Sequence, residues 1–161
     1  MDISFKSHSN IYTLKSSQKI PISVDEAWDF FSSPENLEKL TPSDMNFNVT
    51  SGKPEKVYPG QIITYKVNVF SGVRLSWVTE ITHVKDKHFF IDEQRFGPYV
   101  MWHHEHFFKA IDDHSCYVED KVSYKLPLGV LGKLAHFIFV KKQLSSIFEY
   151  RTEQIKVLFK G

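Results

Sequence analysis

The sequence predicts an α+β fold in which a curved antiparallel sheet of seven strands wraps around one long C-terminal helix. Three observations support it. Residues 47–125 alternate between apolar and polar side chains with the period of two that is typical of strands. The connections between these strands are short and rich in turn residues, which favours antiparallel neighbours. Residues 130–159 then change to apolar spacings of three and four, which are typical of a helix.

Two short helices are predicted after the first strand, YTLKSSQKIPI, which ends at Pro21. Ser23 or Asp25 can cap the first helix, and acidic residues in its first turn complement the helix dipole. The second helix has Pro34 at its first position and ends before Pro42. The six later strands are FNVTS, QIITYKVNVF, VRLSWVTEITHV, HFFIDEQRF, YVMWHHEHFFKAI and CYVEDKVSYKL.

The C-terminal helix carries an apolar stripe that should face the sheet. A helix from Val130 to Phe159 would be about 45 Å long at 1.5 Å per residue. We expect the sheet to curl around it while the two short helices close one end. The stripe consists of Phe137, Val140, Leu144, Ile147, Ile155 and Leu158.

The composition indicates one domain over residues 1–161. The 20 basic and 19 acidic residues give a net charge of +1 without a basic patch, so we expect no nucleic-acid partner. No apolar run approaches the ~20 residues of a membrane span and no signal-peptide core is present, so we expect a cytoplasmic protein without integral membrane association. Aromatic residues make up 15% of the chain, which can line a cavity as well as fill a core.

Five segments between residues 12 and 160 stand in a characteristic order: IPISVDEAWDFFSSPENLEKLTP, WVTEI, FIDEQRFGPYVMWHHEHFF, KLPLGVLGKL and QLSSIFEYR. Together they resemble the START-like, birch-pollen-allergen-like superfamily (SRPBCC, polyketide cyclase/CoxG-like), in particular a bacterial ligand-binding branch. The resemblance implies a helix-grip fold with a cavity between the long helix and the sheet. Members bind lipids, sterols, polyketides or plant hormones, and a minority catalyse aromatase, cyclase or dehydratase reactions, so the fold does not decide the function.

The HHEH motif in YVMWHHEHFFKAI is divided between the two faces of its strand. The face with Glu105 and Lys109 suits water, and alternation adds Tyr99, Met101, His103 and Phe107 to it. The interior face then holds Trp102, His104, His106 and Phe108. On the next strand the interior residues are Val118, Asp120, Val122, Tyr124 and Leu126. With DDHS as the hairpin loop, Asp120 should lie opposite or diagonal to His106.

His106 and Asp120 are the candidate catalytic residues. A carboxylate beside an imidazole favours the imidazolium and fixes the tautomer of a neutral ring. The pair could act in general acid/base catalysis or hold a polar group of a ligand. The alternative is a buried network that only stabilises the core.

Arg151 lies in the apolar stripe, four residues from both Ile147 and Ile155. A buried guanidinium needs a partner, which Asp120, Tyr124 or an acidic ligand could supply. Alternatively, Arg151 extends to water at the edge of the stripe and pairs with the sheet there.

We expect no metal and no cofactor. His104 and His106 are an H-x-H pair whose side chains project the same way, which is a known ligand spacing. Zinc catalysis needs a third protein ligand, however, and Asp120 is the only nearby candidate. The sequence also lacks the H-E-x-x-H, G-x-S-x-G, phosphate-loop and dinucleotide-binding motifs.

The leading hypothesis is the binding or carriage of a small hydrophobic ligand in the cavity, which should then reach about 300 Å³ or more. The first alternative is a cyclase, dehydratase or hydrolase in which His106 and Asp120 form the acid/base pair. The second is a regulatory interaction module with a filled core and an exposed apolar patch, either near FSSPENLEKL or on the outer face of the long helix at Phe139 and Phe159. The sequence leaves open whether the protein is a monomer or a homodimer. The expected ligand-binding residues are Tyr65, Trp77, Phe90, Trp102, His104, His106, Asp120, Tyr124, Phe137, Leu144, Phe148 and Arg151.

Overall fold

A computed structural model describes residues 2–52, 56–70 and 73–160, and within these residues it shows one antiparallel sheet of eight strands. The strand order across the sheet is β1-β2-β8-β7-β6-β5-β4-β3. The strands are β1 (Asp2–His8), β2 (Ile11–Ile20), β3 (Asn48–Val49), β4 (Gln61–Phe70), β5 (Val73–Lys85), β6 (Phe89–Phe96), β7 (Met101–Asp112) and β8 (Ser115–Lys125).

The helices occupy the predicted places. Helix α1 (Val24–Phe31) and a 3-10 helix (Pro34–Leu40) follow β2, and a single 3-10 turn (Ser43–Met45) precedes β3. The C-terminal helical segment consists of α2 (Gly129–Ala135), a π-helical turn (His136–Val140) and α3 (Lys141–Leu158). The predicted fold, a curved antiparallel sheet with a long C-terminal helix and two short helices, is confirmed.

The predicted number of seven strands is corrected to eight, because the segment before the first predicted strand also pairs. Strand β1 forms a hairpin with β2 through Ser9 and Asn10, whose φ angles are 51° and 65°. Two consecutive positive φ angles are typical of the type I′ turn, whose twist matches that of the flanking strands. Ile3 and Phe5 of β1 pack against the apolar core.

Helix α1 closes one end of the sheet. Ser23 caps it: the Ser23 hydroxyl accepts a hydrogen bond from the backbone N–H of Glu26, and the Glu26 carboxylate accepts one from the backbone N–H of Ser23. Trp28 and Phe31 on its inner face pack against Phe108 of β7, with ring centroids 5.3 and 5.7 Å apart. The cap therefore sets where the helix begins, and the aromatic contacts hold it on the sheet.

The predicted apolar stripe is corrected at Phe137, because the C-terminal helical segment contains a π-helical turn there. Spacings of three and four apply to an α-helix, whereas the i to i+5 hydrogen bonds of a π-turn accommodate more residues per turn. His136 therefore takes the inward position before Val140, and its Nε2 lies 2.8 Å from the hydroxyl of Tyr124. Phe137 is 85% exposed and cannot line a cavity. At the other end of the stripe, Leu158 is 43% exposed.

Gly132 lies where α2 passes the connection from β8. A Cβ at this position would collide with the backbone carbonyl oxygen of Pro127. In an exposed helix, replacing Gly by Ala stabilises by up to about 1 kcal/mol. Here we expect Gly132→Ala to lower the free energy of unfolding by about 1–3 kcal/mol because the site is overpacked. Thermal unfolding followed by circular dichroism should show a Tm lower by about 2–10 °C.

The matched control is Lys133→Ala, since Lys133 is the exposed neighbour of Gly132 on the same helix. We expect this variant to change stability by less than about 0.5 kcal/mol. A Tm that rises in Gly132→Ala would contradict the close approach of α2 to Pro127.

Candidate functional site

A cavity of about 210 Å³ lies between α3, strands β4 to β7 and the helical segments of residues 30–45. Its volume is below the expected 300 Å³, so it is smaller than the pockets that hold drug-sized ligands. Most of its walls are aromatic and aliphatic side chains. Nine of the twelve predicted ligand-binding residues line it: Tyr65, Trp77, Phe90, Trp102, His104, His106, Leu144, Phe148 and Arg151.

The other three predicted residues lie elsewhere. Asp120 is buried, but the cavity is lined by its neighbours His104 and His106 rather than by its own carboxylate. The Tyr124 hydroxyl bonds His136 and thereby holds the π-turn on the sheet. Phe137 is exposed for the reason given above. The expectation that these three residues line the cavity is therefore corrected, since none of them is among its lining residues in the described parts of the chain.

Burial confirms the assignment of strand faces. His104 and His106 are 8% and 6% exposed, and Asp120 is 5% exposed. Strand pairing places His106 directly opposite Asp120, as the DDHS hairpin predicted. The period of two was therefore sufficient to orient the middle of β7 and the whole of β8.

The prediction that Tyr99 lies on the outer face of its strand is wrong. Strand β7 begins at Met101, so the alternation of the strand does not extend to Tyr99. The Gln94 side chain instead holds the backbone of Tyr99 through two hydrogen bonds, of 3.2 Å to its N–H and 2.6 Å to its carbonyl. Tyr99 is consequently 8% exposed and lines the cavity.

Asp92 is the important residue that sequence reasoning missed. It lies on β6 opposite His104 and lines the cavity. Alternation with Phe90, a predicted cavity residue, would have placed Asp92 on the inner face as well. The signal was present, but a carboxylate on a strand is normally assigned to water.

Two carboxylates and two imidazoles form a compact group, called here the His/Asp cluster (Asp92, His104, His106 and Asp120). The two imidazole ring centroids are 3.7 Å apart. His106 donates a hydrogen bond of 2.8 Å from Nε2 to Oδ2 of Asp92, and His104 Nδ1 lies 3.6 Å from the same oxygen. Each imidazole therefore turns one ring nitrogen toward Asp92.

The second nitrogen of each imidazole faces Asp120. His104 Nε2 lies at hydrogen-bonding distance, 3.1 Å, from Oδ1 of Asp120. His106 Nδ1 lies 3.0 Å from the same oxygen, as an ion-pair contact rather than a hydrogen bond of good geometry. Asp120 thus fixes the orientation of both rings from behind, while Asp92 stands on the cavity side.

Arg151 of α3 completes the buried charges. Its Nη2 lies 3.2 Å from Oδ1 of Asp120, and its guanidinium carbon lies 5.2 Å from the ring centroid of Phe31. Arg151 is only 7% exposed, so it does not extend to water at the edge of the stripe. Of the partners that the sequence allowed within the protein, the structure shows Asp120 and not Tyr124.

The buried charges shift the ionisation of the cluster in a consistent direction. Burial alone would raise the pKa of Asp120, but Arg151 and the two imidazoles hold it well below its ordinary value. Burial and the neighbouring His106 lower the pKa of His104. Burial also opposes the charged form of His106, yet its contacts with Asp120 and Asp92 outweigh burial and raise its pKa. Of the two imidazoles, His106 therefore holds a proton more readily than His104.

Further polar groups belong to the side chains that line the cavity. The hydroxyls of Tyr65 and Thr79 lie 2.9 Å apart and satisfy each other. The indole Nε1 of Trp77 and the Nε of Arg151 are buried and have no hydrogen-bond partner within the described parts of the chain. Both side chains line the cavity, and the two unpaired donors are buried within them.

Comparison with solved structures shows the same fold across the whole chain. Neither the models of known protein families nor the sequences of curated proteins match this chain. The protein Ms6760 from Mycobacterium smegmatis is 18% identical, with 98% of this chain and 96% of that chain covered and a TM-score of 0.66.

Among the described residues, no helix is both long and apolar enough to cross a membrane.

Two plant proteins share the architecture. Norcoclaurine synthase from Thalictrum flavum, solved as a point mutant with a transition-state analogue, is 12% identical, with 98% of each chain covered and a TM-score of 0.63. Major latex-like protein 151 from Panax ginseng is 12% identical, with 95% of this chain and 100% of that chain covered and a TM-score of 0.68. These matches show the helix-grip fold that the resemblance to the START-like, birch-pollen-allergen-like superfamily implied.

The pairing of Asp120 with Arg151 can be tested by a double-mutant cycle. Removing one partner of a buried ion pair leaves an uncompensated charge, which typically costs about 3–5 kcal/mol. We expect Asp120→Asn to lower the free energy of unfolding by about 3 kcal/mol or more in urea denaturation. The double variant Asp120→Asn/Arg151→Met should cost clearly less than the sum of the two single variants, because it removes both charges.

Glu119→Gln is the matched control, since Glu119 is the exposed neighbour of Asp120 on β8. Its loss of charge should change stability by less than about 0.5 kcal/mol. Additive effects in the cycle would show that Asp120 and Arg151 do not depend on each other.

Proposed function

We propose that this protein binds a small hydrophobic molecule with one polar acceptor group in the cavity beneath α3. The observation that carries the proposal is the coexistence of apolar walls with buried donors, on Trp77 and Arg151, that lack a partner among the described residues. An unsatisfied buried donor costs about 1–3 kcal/mol, which a ligand carbonyl or carboxylate would offset once the side chain turns the donor toward the cavity. The shape of the ligand is then set by the walls and its orientation by the donors.

The volume of the cavity limits the size of the ligand. Pockets for drug-sized molecules begin at about 300 Å³. The 210 Å³ found here suits a molecule of one or two rings rather than a sterol or a two-chain lipid. Burial of apolar surface, at about 25 cal/mol per Å², would supply most of the affinity.

The arrangement of the rings favours a planar ligand. Tyr65 and Trp77 are stacked, with centroids 5.9 Å apart and an interplanar angle of 19°. Trp77 and Trp102 meet edge to face, with centroids 5.4 Å apart. A flat aromatic ligand can add to this wall by offset or edge-to-face contacts, each worth about 0.5–1.5 kcal/mol beyond the buried area.

The enzyme hypothesis is the second candidate, because His106 and Asp120 are 3.0 Å apart and His106 lines the cavity. Norcoclaurine synthase, with the same fold, is an enzyme by its name. However, Nε2 of His106 already bonds Asp92 and its Nδ1 faces Asp120. Neither ring nitrogen is open to a substrate in this arrangement, so the geometry supports binding better than acid/base catalysis.

The interaction-module hypothesis meets one of its two conditions. It requires a filled core, whereas a cavity is present. It also requires an exposed apolar surface, and α2 with the π-turn exposes Val130, Leu131, Leu134, Phe137 and Ile138. Phe139 is 41% exposed, while Phe159 packs against Phe30 with ring centroids 5.0 Å apart.

Filling the cavity should abolish binding. We expect 2-naphthoate and 2-methylnaphthalene to bind with micromolar dissociation constants in isothermal titration calorimetry, about −8 kcal/mol at 1 μM. Leu144→Trp should weaken both by at least about tenfold, because the larger ring occupies the space of the ligand. Leu134→Trp is the matched control, since Leu134 is 55% exposed outside the cavity. Equal binding by both variants would contradict the site, as would failure of both compounds to bind the unmodified protein.

The polar donors should distinguish the two probes. We expect Trp77→Phe to weaken 2-naphthoate by about 1 kcal/mol, or roughly fivefold, because the Nε1 donor is lost. Loss of packing against the smaller ring should affect both probes alike, so 2-methylnaphthalene should lose clearly less affinity than 2-naphthoate, since it has no acceptor. A parallel loss for both probes would show that Trp77 acts by shape alone. Native mass spectrometry of protein purified from its own host would then identify the natural ligand.

A further inference from the structure

We propose that Asp92, His104 and His106 form a binding site for one divalent transition-metal ion at the polar end of the cavity. One ligand atom from each residue lies within 4.8 Å of the others. Two imidazole nitrogens and one carboxylate oxygen are the donor set that suits zinc and non-haem iron(II).

The spacing of the three residues is built into the sheet. His104 and His106 are two positions apart on β7 and therefore project the same way. Asp92 lies directly opposite His104 on the neighbouring strand β6. All three side chains thus stand on rigid strands, where a binding geometry is held more precisely than on loops.

The separations of the ligand atoms are already close to those around a shared ion. With bonds of about 2.0–2.2 Å to the ion, neighbouring ligand atoms lie about 2.8–3.1 Å apart in octahedral sites and about 3.3–3.6 Å apart in tetrahedral sites. Oδ2 of Asp92 lies 2.8 Å from Nε2 of His106 and 3.6 Å from Nδ1 of His104. Both distances fall within these ranges, and the ligand nitrogens of the two imidazoles lie within 4.8 Å of each other.

Asp120 has the position of an outer partner that orients metal-binding histidines. Such histidines usually donate their other ring N–H to a carboxylate, which fixes the tautomer and leaves the metal-facing nitrogen with its lone pair. The nitrogens that face away from Asp92, His104 Nε2 and His106 Nδ1, are 3.1 and 3.0 Å from Oδ1 of Asp120. One carboxylate oxygen therefore lies beside both rings, hydrogen-bonded to His104 and in ion-pair contact with His106.

The charge of the cluster also favours a cation. The carboxylates of Asp92 and Asp120 face one permanent cation, the guanidinium of Arg151, so the group carries more negative than permanent positive charge. Asp120 and Arg151 are both buried, and the side chain of Asp92 is only 14% exposed, so this charge needs compensation. A bound cation would supply it and would replace the hydrogen bond between His106 and Asp92.

The cavity side of the site is open to further ligands. Asp92, His104 and His106 all line the cavity of about 210 Å³. Three protein ligands with an open fourth position distinguish metal sites that also bind small molecules from closed structural sites. The metal proposal does not rest on the proposed binding of a hydrophobic molecule.

The test uses the full chain without a histidine tag, stripped with EDTA and titrated with Zn²⁺ or Co²⁺ in isothermal titration calorimetry. We expect one ion per chain with a dissociation constant below about 1 μM. Loss of a residue that only orients a metal ligand costs about 10–100-fold in metal affinity. Asp92→Ala and His104→Gln each remove a ligand itself, so each should weaken binding by at least about 100-fold.

His103→Gln is the matched control, because His103 is the neighbouring histidine on β7 and pairs with Glu93 on the other face. Its affinity for the metal should equal that of the unmodified protein. A large loss in this variant would overturn the proposal, since the ion would then sit on the outer face.

A measurement on the unmodified protein keeps the test independent of variants that fail to fold. X-ray absorption of the Zn²⁺-loaded protein should show two imidazoles in the first shell at about 2.0–2.1 Å. A first shell without imidazole, or a dissociation constant weaker than about 100 μM, would overturn the proposal. No organic probe is present in these measurements, so their failure is separate from a failure of naphthoate binding.

Discussion

The buried carboxylate of Asp120 is the contact on which the rest of the site depends. It accepts from His104 of β7 and from Arg151 of α3, so one side chain of β8 connects the sheet to the long helix. A carboxylate in the interior is tolerable only where cations and donors surround it. The positions of His104, His106 and Arg151 follow from that requirement.

The same contact explains why the cavity has one polar and one apolar end. The imidazole rings of the His/Asp cluster are held by carboxylates and cannot move into the cavity to fill it. Around the rest of the cavity, large planar side chains such as Trp77, Trp102 and Phe148 pack at angles that leave a gap between them. Aromatic rings are rigid, so such a gap cannot close by small adjustments of rotamers.

Alternation along the strands predicted most of the site, because it depends on local geometry alone. It placed His104, His106 and Asp120 inside, and the short DDHS loop set their register. Asp92 and Tyr99 escaped that reasoning for different reasons. Asp92 is a half-buried carboxylate whose partners are two imidazoles from another strand, and Tyr99 precedes its strand and is held by Gln94.

The sequence by itself determined the class of fold, the two short helices, the long C-terminal helix and the faces of the central strands, since hydrophobic periodicity and turn residues act locally. The tertiary structure alone decided the π-turn that exposes Phe137, the volume of the cavity and the assembly of the His/Asp cluster. These features depend on side chains distant in sequence meeting in space. Burial and charge compensation between elements have no signature within any single segment.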